Sequence, residues 1–113
     1  MLFKMRLYHE PFTKIKAGTK TIEMRLNDEK RSQIQAGDEI EFTDLSDGEK
    51  LVCAVKNVYK YPSFYELYQH HSKESIGYDD GENADPADML EIYSEENIRK
   101  YGVVGIEVET ASL

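Results

Sequence analysis

Three charged side chains of different chemistry fall close together in the stretch Gly18-Thr19-Lys20-Thr21-Ile22-Glu23-Met24-Arg25. Lysine brings a compact positive charge, or a base where its surroundings free the amine. Arginine brings a planar fork of donors that suits a phosphate or a base edge, and glutamate accepts from exocyclic amines. Glu23 and Arg25 are two apart, so on a strand they share a face. Lys20 on the same regular strand would face the other way. Convergence of all three therefore requires Lys20 to sit in the turn before the strand, or on a bulge, and Gly18 makes an irregular entry available. The bland alternative is an ion pair on a sheet wall, which contributes little if exposed.

Other residues invite the same two-sided reading. Tyr8, Tyr59, Tyr61 and Phe64 have the chemistry to stack on an unpaired base, although aromatic side chains more often pack in a core or at its rim. Lys30-Arg31 extends the basic character, as solvated surface or as part of a site. His70, His71, Glu74, Asp79 and Asp80 are metal-ligating types, but the stretch after His71 is irregular and no second His/Cys pair completes a tight set, so no metal site is expected. The single cysteine, Cys53, lies in an apolar run and reads as core. No phosphate-cradling glycine loop and no Ser-His-Asp pattern is visible, and no cofactor is expected.

Short elements have to position these groups. Residues 2–9 alternate, with Phe3, Met5 and Leu7 on one face and Lys4, Arg6 and Tyr8 on the other, as in a half-buried strand. Glu10-Pro11 opens a helix striped by Phe12 and Ile15, which Gly18 ends. Residues 20–26 read as a second strand with Ile22, Met24 and Leu26 inward. Residues 27–35 read as loop or a single helical turn. Gly37-Asp38 leads into a third strand with Ile40 and Phe42 inward, and Asp47-Gly48 is a hairpin turn into a fourth strand at about 50–60. Ser63-Phe64-Tyr65-Glu66 fits a capping box, followed by Phe64, Leu67, Tyr68 and His71 at helical spacing. Residues 72–84 are irregular. Asp85-Pro86 starts a further helix with Met89, Ile92 and Tyr93 as its stripe. A short helix over 94–100, ended by Gly102, precedes a last strand with Val104, Ile106 and Val108 inward. An open sheet this small exposes its edges, and closure into a small barrel plugged by helices removes them.

The chain has 113 residues, the size of one domain, with no repeat, linker or low-complexity tract, so residues 1–113 read as a single domain. No apolar run approaches a membrane span and no signal-peptide pattern opens the chain, so no membrane association and a cytoplasmic location are expected. The net charge of −8 argues against a general phosphate-binding surface. Its distribution is uneven. Residues 1–31 carry eight Lys/Arg and four Asp/Glu, whereas residues 32–113 carry six and eighteen. Polyanion binding, if present, is thereby confined to one face.

The motif Gly18-Thr19-Lys20-Thr21-Ile22-Glu23-Met24-Arg25 resembles the G-x-K-x-x-E-x-R signature of the ASCH family, a branch of the PUA-like barrels. Phe12-Thr13-Lys14-Ile15 resembles the family's upstream helix, Gly37-Asp38-Glu39-Ile40 its G-D-x-I strand entry, and Tyr101-Gly102-Val103-Val104-Gly105-Ile106 its closing strand. Residues 72–93 match least. The resemblance implies an α+β fold: a small PUA-like β-barrel of about five to six mostly antiparallel strands with short helices between them. It also implies a cleft lined by the motif's Lys, Glu and Arg.

The resemblance implies an RNA- or nucleoside-binding domain whose partners are RNA, a short single-stranded nucleic acid or a modified nucleoside. Lys20, Thr21, Glu23, Arg25 and Tyr61 are the expected ligand-binding residues. The alternative it implies is a small amidohydrolase acting on N4-acetylcytidine-like acylated nucleosides, in which Lys20, Glu23 and Glu74 would be catalytic. The branch with that activity carries a threonine three positions after the lysine. Here Glu23 stands there, and Thr21 is on a different register. That branch's glutamate follows the fourth strand, where both Glu66 and Glu74 fall. A third alternative, from the acidic remainder of the chain, is a protein-interaction domain for a basic partner.

Overall fold

The computed structural model of the protein describes residues 1–110. Strand β1, Leu2–Leu7, buries Phe3, Met5 and Leu7 and exposes the residues between them, as the alternation dictates. Helix α1, His9–Ala17, buries Phe12 and Ile15. It ends at Gly18, whose N–H donates to the Ile15 carbonyl and whose φ of +87° turns the chain so that the Thr19 N–H donates to the Lys14 carbonyl. Strand β2, Ile22–Leu26, is followed by a single 3-10 turn at Arg31–Gln33. Strands β3, Glu39–Asp44, and β4, Lys50–Tyr61, form the hairpin around Asp47-Gly48.

Helix α2, Phe64–His70, starts at Ser63, whose hydroxyl accepts the Glu66 N–H. Helix α3, Glu95–Tyr101, is capped in the same way by Ser94 and ends at Gly102. Strand β5, Val103–Thr110, closes the described chain. Two readings are corrected. The expected helix after Asp85-Pro86 is a 3-10 helix, Pro86–Glu91; Asp85 caps it by accepting the Ala87 N–H, but the six-residue segment stops before an α-helical repeat is established. His71 lies beyond α2 in extended backbone, so it does not continue the apolar stripe.

The sheet order is β1-β3-β4-β5-β2. β1 and β3 are parallel and the other three pairs antiparallel, with a bulge in β4 between Val55 and Asn57. β1 and β2 are thus the two ends of the sheet, yet Arg25 on β2 reaches the Arg6 carbonyl on β1 at 3.0 Å. The sheet therefore curls into a half-barrel, with a seam where its two edges meet. On β1, the Met1 and Leu7 carbonyls accept from the N–H groups of Glu39 and Leu45. The intervening carbonyls of Lys4 and Arg6 consequently point toward the seam.

Two apolar clusters hold this shape. One joins β1, α1, β3 and β4 through Phe3, Phe12, Ile15, Ile40, Phe42 and Val55. The other packs α2 and the 3-10 helix onto β2 and β5 through Ile22, Met24, Phe64, Leu67, Met89 and Val103. Each such side chain, fully buried, contributes about 1.5–3 kcal/mol. The helices are too short to form alone, so this packing is what sustains them. No helix is long and apolar enough to cross a membrane among the described residues.

Candidate functional site

Regular strand geometry begins only at Ile22, which leaves Lys20 and Thr21 in the turn after α1. The Lys20 N–H donates to the Lys14 carbonyl, and the N–H groups of Thr21 and Ile22 both donate to the Ser75 carbonyl at 2.9 Å. This irregular entry swings Lys20 onto the side of Glu23. Lys20 Nζ lies 3.0 Å from Glu23 Oε1, and Arg25 Nε lies 2.7 Å from Glu23 Oε2. One carboxylate thus engages both cations, while Arg25 Nη2 donates to the Arg6 carbonyl across the seam.

The trio is buried, with the Glu23 side chain only 4% exposed, Lys20 9% and Arg25 14%. Burial pushes the Glu23 carboxyl up, but the charges of Lys20 and Arg25 and the hydrogen bonds from both outweigh it and hold Glu23 below the usual carboxylate range. For Arg25, burial opposes the charge, and the Glu23 carboxylate more than compensates. Gly77, at φ +112°, lies against the Lys20 stem and leaves it room to reach Glu23.

A cavity of about 790 Å³ opens over this trio along the seam. Its walls come from the outward face of β1 and β3, from the charged side of β2, and from the 3-10 helix, which contributes Met89 and, just beyond its end, Ile92 and Tyr93. Seven basic side chains line it: Lys4, Arg6, Lys20, Arg25, Lys30, Arg31 and Lys50. Only two acidic ones do, Glu23 and Glu41. The cavity is strongly positive on a protein of net charge −8.

The cavity therefore gathers Lys20, Glu23 and Arg25, and adds Lys30, Arg31 and Tyr8 from the wider set of candidates. Thr21, Tyr61 and Glu74 do not line it. Thr21 is engaged through its backbone with Ser75 and Val108. The Tyr61 hydroxyl is paired with His71 Nε2 at 2.8 Å, and its ring stacks on His70 with centroids 5.4 Å apart. Tyr59 meets the same His71 edge-on and donates to Glu107. Lys4, Arg6, Lys50 and Tyr93 also line the cavity, and the sequence reading did not single them out. For Lys4 and Arg6 the signal was present, since they share the outward face of β1 with Tyr8.

A Ser, a His and an Asp also meet near the α1 start. Asp44 is fully buried and accepts from the N–H and hydroxyl of Ser46, while its other oxygen lies 2.7 Å from His9 Nδ1. The Ser46 hydroxyl lies 3.2 Å from the same Nδ1. A nucleophilic triad needs the hydroxyl on the opposite ring nitrogen, so this cluster fastens α1 to the β3–β4 turn instead. The hydrogen bond and charge of Asp44 raise the His9 pKa above its ordinary value. Asp44 is held below its own, because the Ser46 and His9 bonds outweigh its burial. Among the described residues no group of three or more His, Cys, Asp or Glu side chains is arranged to hold a metal ion.

The family model for the ASCH domain matches residues 5–112. The crystal structure of the hypothetical protein PH0355 is similar over 98% of this chain and 100% of that one, with 38% identity and a TM-score of 0.84. The solution structure of Protein PF0455 from Pyrococcus furiosus is similar over the whole of both chains, with 37% identity and a TM-score of 0.76. The crystal structure of the ZmASCH S128A mutant protein from Zymomonas mobilis shares 13% identity and a TM-score of 0.61 over 96% of this chain and 70% of that one, a likeness of fold. No curated protein matches the chain. The family model covers nearly the whole chain and the fold agrees with it: the chain belongs to the ASCH domain family.

Proposed function

We propose that this protein is an RNA- or nucleoside-binding domain and that its binding site is the seam cavity over Lys20, Glu23 and Arg25. The observation that carries the reading is the concentration of seven basic side chains around one cavity of a protein that is otherwise acidic. A local field of that sign draws a polyanion to one place and repels it elsewhere. The volume falls in the range of sites that enclose one small ligand. Binding is favoured over amidohydrolase chemistry by the arrangement of the trio. The Lys20 amine is held by Glu23 as an ion-pair donor, Glu23 has both oxygens engaged, and Glu74 does not line the cavity.

The test is fluorescence anisotropy with a panel of short labelled RNAs, and competition by modified nucleosides, at low and moderate salt. Binding that weakens as salt rises, and that falls about tenfold or more in Arg25→Ala and Lys20→Ala variants shown to be folded by circular dichroism, supports the reading. Absence of binding across the panel at every salt concentration overturns it.

A further inference from the structure

The cations around the cavity divide into two kinds. Lys20 and Arg25 are engaged by Glu23, Arg31 by Asp28 at 2.8 Å, and Lys50 by Glu41 at 3.4 Å. Lys4, Arg6 and Lys30 have no carboxylate partner among the described residues; all three line the cavity, and Lys30 Nζ, 3.4 Å from the Lys4 carbonyl, lies at the edge of β1, the strand that carries the other two. Like charges gathered without a counter-charge repel one another, and a bound anion with several acceptor oxygens relieves that repulsion.

The same face of β1 continues to Tyr8, which is 76% exposed although large and aromatic. Leu45 and Ile92, which also line the cavity, are exposed as well, at 50% and 64%. Tyr8 keeps extended backbone, so Arg6 and Tyr8 stand about 7 Å apart along the strand. That spacing is about the reach of one sugar between its phosphate and its base. The segment that supplies Met89, Ile92 and Tyr93 to the lining is acidic outside the cavity: residues 79–96 contain eight Asp/Glu and no Lys or Arg. That composition repels a long phosphate backbone extending beyond the cavity over this segment.

We infer that the outward row Lys4-Arg6-Tyr8, with Lys30, is a nucleotide subsite: the three unpaired cations hold a phosphate and Tyr8 stacks on the base, so the site selects a phosphorylated nucleotide unit over the neutral nucleoside. The inference rests on the reading of the cavity as an RNA- or nucleoside-binding site and names what that site recognises. The same chemistry is offered by a free nucleoside 5′-monophosphate and by the 5′-phosphorylated end of a single strand.

Isothermal titration calorimetry on the full chain tests it, with nucleosides, their 5′-monophosphates, inorganic phosphate, a 5′-phosphorylated trinucleotide and duplex RNA. The monophosphates bind about tenfold or more tighter than either the nucleosides or phosphate alone. Tyr8→Ala weakens the monophosphates about tenfold and leaves phosphate unchanged, whereas Tyr8→Phe retains affinity. The Lys4→Ala/Lys30→Ala double variant abolishes the preference for the phosphorylated form. Equal affinity for monophosphate and trinucleotide identifies the free nucleotide as sufficient, and tighter trinucleotide binding identifies a strand end; both support the subsite. Nucleosides binding as tightly as their monophosphates, an unaffected Tyr8→Ala, or duplex preferred over single strand overturns it while RNA binding at the cavity still stands. Absence of binding by every ligand and by the RNA panel overturns both.

Discussion

Gly77 presses against the aliphatic stem of Lys20 so closely that a Cβ built on residue 77 lies 3.2 Å from Lys20 Cδ. The contact joins the irregular segment after α2 to the turn before β2. Lys14 reinforces it by donating to the Gly77 carbonyl at 2.8 Å and pairing with Asp79 and Glu10. A side chain at 77 meets two obstacles, the Lys20 stem and a backbone φ of +112° that non-glycine residues rarely adopt. Gly77→Ala is expected to destabilise the protein by about 1–3 kcal/mol in urea unfolding and to weaken ligand binding by displacing Lys20.

Glu23→Gln removes the charge that two buried cations share. Breaking a buried ion pair from one side costs about 3–5 kcal/mol, and the lower end applies here because Arg25 still reaches solvent. Chemical denaturation measures the loss.

The same residue predicts an acid response. The Glu23 pKa is lower in the folded protein than in the unfolded chain, so its contribution is fully present above the unfolded value near 4.5 and is lost as pH falls through the folded one. Stability measured downward from pH 5 should fall more steeply in the wild type than in Glu23→Gln.

His9 predicts the opposite slope. Its folded pKa is raised above the ordinary 6.5, so the His9–Asp44 contribution is fully present below pH 6.5 and fades as pH rises through the folded value. An NMR titration of the imidazole should give a midpoint above 6.5, and Asp44→Asn should return it toward that value. A midpoint at or below 6.5 in the wild type would contradict the contact.

Cys53 is fully buried, and burial pushes its thiol up to about 11. A thiol-specific reagent at neutral pH is expected to leave it unmodified in the native protein and to react promptly in concentrated urea.

Much of this fold is legible in the sequence because it is decided locally. The alternation Phe3, Met5, Leu7 announces β1, Gly18 the end of α1, Asp47-Gly48 the hairpin, and Ser63 and Ser94 the helix starts. The requirement that Lys20 leave the strand register to join Glu23 is legible too, and the structure meets it in the turn before β2. What fixes that turn is not local. The Ser75 carbonyl accepts from both Thr21 and Ile22, and Gly77 covers Lys20, although residues 72–84 carry no periodicity that would advertise either role. Tyr93 reaches the cavity just beyond a 3-10 helix, whose conformation the spacing of Met89, Ile92 and Tyr93 did not indicate. Tyr61 looked like a stacking group, but its hydroxyl and ring are engaged by His71 and His70. The parallel pairing of β1 with β3 depends on contacts between segments distant along the chain, which no local pattern encodes.

The seam also bears on how the chain folds. The β3–β4 hairpin joins neighbours and has little loop entropy to overcome. β2 pairs with β5, far along the chain, and from that position Arg25 reaches the Arg6 carbonyl on the opposite edge. Curling of the sheet and assembly of the cavity along its seam are therefore geometrically one event. Docking of β2 on β5 thus covers a bare strand edge, the kind of surface that invites aggregation, and brings Arg25 into place on the cavity wall.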